Sequence, residues 1–315
     1  MDNLINKSIV YYINLDERTD RNEHILNELL KIFPKNIINR FSAIKHEQGA
    51  VGCTMSHINI LLQFINSNKE WCFIFEDDFE FLFPIDDIKI MLSNALKNEF
   101  NVIMMTYNGS LININFSTIT NNIASITNGL TTAGYIVHKK FSKFLLNNFS
   151  NGLNELIKTE NKQKYKIDVY WFMLQKIQNK FYAMMPCIGT QLSGYSTIEL
   201  QNVDYIQCNT CIILTDFDLN INKSPFFCLK YNYINEDTII NIKNKYPKIN
   251  CLFRITNNFF NKTNWKYIYD IYINMIKHKY SYKYFKISDI NIESINNIED
   301  INNVDYDNTF FMILN

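Results

Sequence analysis

The chain lacks several features that would fix its class at once. It has no charge bias, since 31 Lys and Arg balance 31 Asp and Glu, and so gives no support to nucleic acid as the main partner. No run approaches the ~18 uninterrupted apolar residues of a membrane span. The start, Met1-Asp2-Asn3-Leu4, lacks the basic-then-apolar order of a secretory signal. No Gly-x-Gly-x-x-Gly follows a strand-like run, which disfavours the usual dinucleotide-binding fold. Among seven Cys the one close pair is Cys208 and Cys211, and no second pair or spaced His completes a zinc set. Scattered thiols in odd number suit a reducing compartment better than a disulfide framework, so the expected location is cytoplasmic. Glycine and alanine are sparse while Asn and Ile abound, which reads as an AT-rich coding bias in a viral or microbial genome rather than as function.

What remains is a globular composition, with 47% hydrophobic and 15% aromatic residues in 315, enough for one large core or two domains. The stretch that organises the rest is Trp71–Phe83, W-C-F-I-F-E-D-D-F-E-F-L-F. Its first five residues are an uncharged apolar run of the kind that forms a strand buried on both faces. Glu76, Asp77 and Asp78 cannot follow it into the core unpaired. They must emerge at the carboxyl end of the strand, where open α/β sheets place their ligands. Carboxylates this close repel unless something positive sits among them, and a hard divalent cation does that. A strand simply turning into solvent would show the same three residues.

Upstream, Ser8–Leu15 reads as the first strand, followed by the charged loop Asp16–Arg21 and helical spacing over His24–Phe33, with Thr19 or Asp20 as the cap. Two arginines near a helix start, Arg18 and Arg21, are placed to meet a diphosphate together with free N–H groups. A solvated charged turn is the plainer account. Phe41–Lys45 reads as a short strand. Gly49 and Gly52 indicate tight backbone, and Ser56 and His57 fall at the first turn of a helix over Ile58–Ile65. Downstream come a helix at Asp87–Leu96, a strand at Val102–Thr106 and a variable loop with short strands at Leu111–Ser125. The small residues Thr131–Gly134 lead into a strand through Val137, where a ligand could approach the backbone. Helices at Lys139–Leu146 and Ile167–Ile177, a strand at Phe181–Met185 and a Gly/Ser-rich loop at Gly189–Ser196 follow. Beyond about residue 203 the spacing predicts strands at Cys211–Leu214, Asn250–Arg254 and Thr309–Leu314, and helices at Ile239–Tyr246 and Trp265–Lys277. Asp216 and Asp218 form an Asp-x-Asp there, either a decoy or a second site.

Together these stretches resemble glycosyltransferase family 25. The likeness rests on Ile13-Asn14-Leu15-Asp16 with Arg18 and Asp20-Arg21, Gly52-Cys53-Thr54-Met55-Ser56-His57, Phe75-Glu76-Asp77-Asp78, Thr132-Ala133-Gly134-Tyr135, Asp168 and Gly194-Tyr195-Ser196. Order and spacing agree over residues 8–199. The resemblance implies an α/β, GT-A-like nucleotide-sugar-binding fold with a mostly parallel central sheet over residues 1–202. A smaller C-terminal α/β region of residues 203–315 would follow. It implies a divalent cation, usually Mn2+, a UDP-hexose donor (galactose or glucose), a glycan or protein acceptor, and inversion. Residue by residue, Asp78 is the first choice for the metal, with Asp77 and Gln191 beside it. Asn14, Leu15, Arg18, Arg21, Ser56, His57, Asp77, Gly134 and Tyr135 would bind the donor. Glu76 would meet sugar and ribose hydroxyls, and Asp168 would be the base. The chain departs from the family at Ala50, where an acidic residue is usual. It also departs at Thr190-Gln191, where the collagen-type members carry His, and at Ser196-Thr197, where Ser-Asp is familiar. Two other readings stand beside it: a metal-dependent phosphoester hydrolase, short of ligands for two-metal chemistry, and a scaffold that kept the fold without activity.

Overall fold

The computed structural model describes residues 6–107, 115–177, 180–185, 187–196, 201–203, 211–215, 227–230, 241, 244–245, 250–256 and 309–314. The chain divides into two units, Met1–Asn209 and Thr210–Asn315.

The first unit is built on one eight-stranded sheet. Its strands are β1 (Ser8–Asn14), β2 (Ile38–Ser42), β3 (Trp71–Glu76), β5 (Val102–Met104), β6 (Asn115–Thr120), β7 (Ile123–Thr127), β8 (Gly134–His138) and β9 (Phe181–Met184). They lie in the order β2-β1-β3-β8-β5-β9-β7-β6. From the pairings, β1, β2, β3, β5, β6 and β9 point one way, and only β7 and β8 run against them. This is the mostly parallel α/β sheet expected. The short strand β4 (Phe79–Phe81) stands apart and pairs antiparallel with β10 (Gly189–Gln191).

Strand β3 shows why the sheet sits where it does. With a side-chain period of two, Cys72 and Ile74 face one side and Phe73 and Phe75 the other. The first side is covered by α2 (Gly49–Asn66) and the helix Ser142–Thr159, whose Ile60, Leu61, Phe64, Leu145 and Phe149 join Cys72, Ile74, Tyr135 and Trp171 in one core. The second side is an aromatic cluster. Phe33, behind α1 (Thr19–Leu30), lies 4.9 Å from Phe73, while Phe79 lies 4.8 Å from Phe75 and 4.9 Å from Phe81. Such edge-on pairs add about 0.5–1.5 kcal/mol each beyond burial. The parity of β3 sends Glu76 to the α2 side.

Several boundaries move from their sequence positions. Helix α2 starts at Gly49, so Ser56 and His57 sit in its middle rather than its first turn. Gly52 does mark tight backbone: a Cβ there would stand 2.3 Å from the carbonyl oxygen of Ile44, so the helix backbone lies directly on the loop before it. Arg18, not Thr19 or Asp20, holds the N-cap of α1, without a side-chain capping bond. The expected helix over Ile167–Ile177 is two pieces, Ile167–Tyr170 and Phe172–Ile177. The stretch read as a Gly/Ser-rich loop contains β10 and the strand Gly194–Ser196, which pairs with Gln201–Val203.

The second unit carries a four-stranded sheet of Cys211–Thr215, Phe227–Lys230, Asn250–Thr256 and Thr309–Leu314. Cys211–Thr215 is parallel to the two strands beside it, and Thr309–Leu314 is antiparallel to Asn250–Thr256. Three of these strands were expected. Asp216, Asp218 and the helix expected at Trp265–Lys277 lie outside the described residues, as does most of the one expected at Ile239–Tyr246.

Candidate active site

Three carboxylates stand together at the end of β3, Glu76 as its last residue and Asp77 and Asp78 directly after it. Glu76 turns to the α2 side, where Thr132 Oγ1 donates to its Oε1 at 2.7 Å and His57 Nε2 lies 3.4 Å away. Asp77 accepts from Asn14 Nδ2 at 2.9 Å and from Arg21 Nη1 at 3.1 Å. Asp78 lies 3.5 Å from the same Arg21 nitrogen and 3.3 Å from Gln191 Nε2. One guanidinium is therefore shared between two buried carboxylates.

The electrostatics follow from that count. Burial, then the charge of Glu76, push Asp78 up to about 7, with Arg21 offsetting only part. Burial also raises Asp77 despite its bonds from Asn14 and Arg21. Burial acts the same way on Glu76, but the hydrogen bond and charge of His57 and the bond from Thr132 outweigh it, so its carboxyl titrates below the ordinary range.

Asp168 comes from the short helix Ile167–Tyr170. Its Oδ2 accepts from Thr131 N at 3.3 Å, Lys166 Nζ lies 3.9 Å from its Oδ1, and burial raises its pKa. Thr131 links it to the rest, because its Oγ1 donates to Gln191 Oε1 at 2.8 Å and Gln191 continues to Asp78. Thr131 has φ of 76°, a left-handed conformation that a β-branched residue rarely adopts. Strain of this kind, of order 1–3 kcal/mol, persists where surroundings over-determine it, and here Asp168 and Gln191 both hold the residue.

The sequence-predicted residues thus divide. Asn14, Arg21, Glu76, Asp77, Asp78, Asp168 and Gln191 are joined in this network or adjoin it. Gln191, expected as a metal ligand, turns its amide nitrogen to Asp78 while its oxygen accepts from Thr131 Oγ1. Ser56 is a tether: its Oγ donates to Gly52 O and accepts from Ile44 N. Gly134 is small for packing, since a Cβ there would stand 2.5 Å from the Phe79 ring. Tyr135 is fully buried and its hydroxyl lies 3.0 Å from His57 Nδ1, which makes it a support of His57. The Arg18 side chain is turned to Asp20 through two bonds, at 2.9 and 2.8 Å. Leu15 serves through its backbone, accepting from Arg18 N. Arg40 was missed. It donates to Asn14 Oδ1 at 3.1 and 3.0 Å and also to Asp16, fixing the amide that holds Asp77. A lone Arg in a short strand gives no signal of that in sequence.

Residues 47–161 match the model of glycosyltransferase family 25 (LPS biosynthesis protein). The resemblance read from the motifs is found again over this matched segment, which includes α2, the three carboxylates and residues Thr131–Tyr135. Asn14, Arg21, Asp168 and Gln191 lie outside it. No curated protein matches the chain. Solved structures similar to parts of it include a glycosyltransferase involved in glycosylation of the major capsid of PBCV-1. That one has 12% identity and a TM-score of 0.38, over 61% of this chain and 95% of that one. Another is a mannose-1-phosphate geranyltransferase from Thermus thermophilus, at 9% identity and TM-score 0.37, over 56% and 73%. A third is A197 from STIV, at 13% identity and TM-score 0.35, over 62% and 93%.

Proposed function

We propose that the chain is a metal-dependent, GT-A-like glycosyltransferase that moves a hexose, galactose or glucose, from a UDP-sugar to a glycan or protein hydroxyl with inversion. The reading gives transfer to residues 1–202, leaves residues 203–315 as an accessory region, and assigns the protein to the cytoplasm. The observation that carries it is the unbalanced charge at the end of β3: Asp77 and Asp78 are both buried and share one guanidinium. That donor set fits a hard divalent ion such as Mn2+, which takes oxygen ligands and would bring the charge that Arg21 alone does not supply. Asp77 and Asp78 would hold it, and when bound it would offset charge developing on the leaving diphosphate.

The chain's own residues do the rest. Arg21, shared by the two carboxylates, is a cation suited to meet a diphosphate. Gln191 and Asn14 fix the rotamers of Asp78 and Asp77. Asp168, with its pKa raised by burial, is a suitable base for an acceptor hydroxyl, and the Thr131–Gln191 link holds it in register with Asp78. Glu76 would meet a donor hydroxyl.

The test is UDP release from a panel of UDP-sugars, with Mn2+ and with a chelator, for wild type and Asp78→Ala. Metal-dependent release from one donor, reduced at least about 100-fold in the variant, is expected. That corresponds to roughly 2.7 kcal/mol of lost transition-state stabilisation. No release from any donor, together with no Mn2+-dependent UDP binding by calorimetry, would sink the reading.

A further inference from the structure

Beside the Asp77/Asp78 pair is a second set of donors with a different chemistry. Cys53 and His57 are four residues apart on α2, so they share one face of the helix, and Glu76 reaches that face from the end of β3. One ligand atom from each lies within 4.8 Å of the others. We propose that Cys53, His57 and Glu76 form a site for a borderline-soft divalent ion of the zinc type, distinct from the Asp77/Asp78 pair but sharing His57 and Glu76 with the donor reading.

Four observations carry it. First, the separation of His57 Nε2 and Glu76 Oε1 is 3.4 Å. That is long for a charge-assisted hydrogen bond, usually about 2.7–2.9 Å. It matches the edge of roughly 3.3 Å between two ligand atoms on a tetrahedral ion with bonds of about 2.0–2.1 Å. Second, His57 is fully buried and its Nδ1 is held by the Tyr135 hydroxyl at 3.0 Å. An outer-shell partner on the far ring nitrogen is how ligating imidazoles are oriented. Third, the charges close. A divalent ion with one carboxylate and one thiolate is neutral, so burial imposes little of the penalty carried by an unpaired ion. On binding, the Cys53 thiol gives its proton to solvent and its sulfur becomes the third donor. Fourth, a thiolate and an imidazole prefer zinc-type ions, whereas a set of carboxylate oxygens prefers Mn2+ or Mg2+. The two neighbouring sites therefore sort metals by hardness. Three protein ligands with a partly exposed Glu76 leave a fourth position for water or substrate, the pattern of an open zinc site rather than a closed structural one.

The test uses the full chain, stripped of metal and titrated with Co2+. Binding at Cys53 produces a thiolate-to-cobalt charge-transfer band, displaced by Zn2+ at one ion per chain. Cys53→Ser should abolish the band. His57→Gln should weaken cobalt binding by at least the roughly 10–100-fold that loss of an outer-shell partner costs. Asp78→Asn should leave the band in place, which separates this site from the Asp77/Asp78 pair. The chain has other cysteines, so a band that survives Cys53→Ser overturns the proposal, as does a wild type without one. Should a variant not fold, X-ray absorption on the zinc-loaded wild type decides. A shell of one sulfur at about 2.3 Å with nitrogen and oxygen at about 2.0–2.1 Å supports the site, and an all-sulfur or sulfur-free shell refutes it.

Discussion

Asp78 sits where burial and the neighbouring Glu76 and Asp77 oppose its ionised form, and Arg21 offsets only part of that. In the unfolded chain the same carboxyl titrates near its ordinary 3.8. Between about pH 4 and 7 the folded, metal-free chain therefore keeps a proton that the unfolded chain releases, and stability falls as pH rises through that window. Asp77 and Asp168, both shifted upward, act in the same direction. Glu76 is shifted downward, so its contribution is lost only at more acid pH. Melting temperatures of the metal-free protein should decline from pH 5 to pH 8, Asp78→Asn should flatten the decline, and at pH 8 the variant should melt higher than wild type. Differential scanning fluorimetry in chelator reads all three. A wild-type profile that rises over the same range would contradict the assignment. At this scale the sequence was most informative about charge. The Glu76–Asp78 run had to stop at a strand end because carboxylates cannot be buried unpaired. The partner of each one was hidden, since Asn14, Arg21, Thr132 and Gln191 come from separate segments.

Among the elements, α2 shows where spacing misled and why. Two glycines before a helical pattern read as tight backbone ahead of a helix over Ile58–Ile65, because glycine costs a helix about 1 kcal/mol relative to alanine. The cost is accepted at Gly52 because the helix rests on the carbonyl of Ile44, with no room for a Cβ. That makes a decisive substitution. Gly52→Ala gains about 1 kcal/mol in propensity but puts a carbon 2.3 Å from a backbone oxygen, and overpacking of this kind costs about 1–3 kcal/mol. Urea denaturation should show a net loss of up to about 2 kcal/mol, with Ala43–Lys45 displaced from α2. A variant stabilised by about 1 kcal/mol would mean the loop yields without cost. The strands were more legible: β1, β3, β5 and β9 fall close to their apolar runs, because a strand buried on both faces writes itself as continuous hydrophobicity. Strand β4 was not, since Phe79–Phe81 reads as a continuation of β3. It is held in place by tertiary bonds, from Phe81 N to Glu28 Oε2 at 3.1 Å and between His24 Nε2 and Phe79 O at 2.9 Å.

For the whole molecule, residues 1–209 contain the entire network described above, from Asn14 to Gln191. A chain ending at Asn209 should unfold in one cooperative transition and keep the metal-dependent UDP release proposed above within about twofold of the full chain, measured by calorimetry and the release assay. Loss of release with folding intact would assign part of the chemistry to the second unit. The reversed strand β8 has a consequence for how this architecture tolerates change in length. Because β8 runs against β3, it begins at the edge where β3 ends, so Thr131 and Thr132 enter the site from before a strand while Glu76, Asp77 and Asp78 enter from after one. The other end of β8, at His138 and Lys139, opens on the opposite edge. Insertions should therefore be accepted unequally at the two ends of one five-residue strand. A residue added after His138 lengthens a connection remote from the carboxylates. The same residue added between Asn128 and Thr132 slides two hydroxyls out of register with Glu76 and Gln191. Length variation in this chain should thus pile up on one rim of the sheet and be nearly absent from the other.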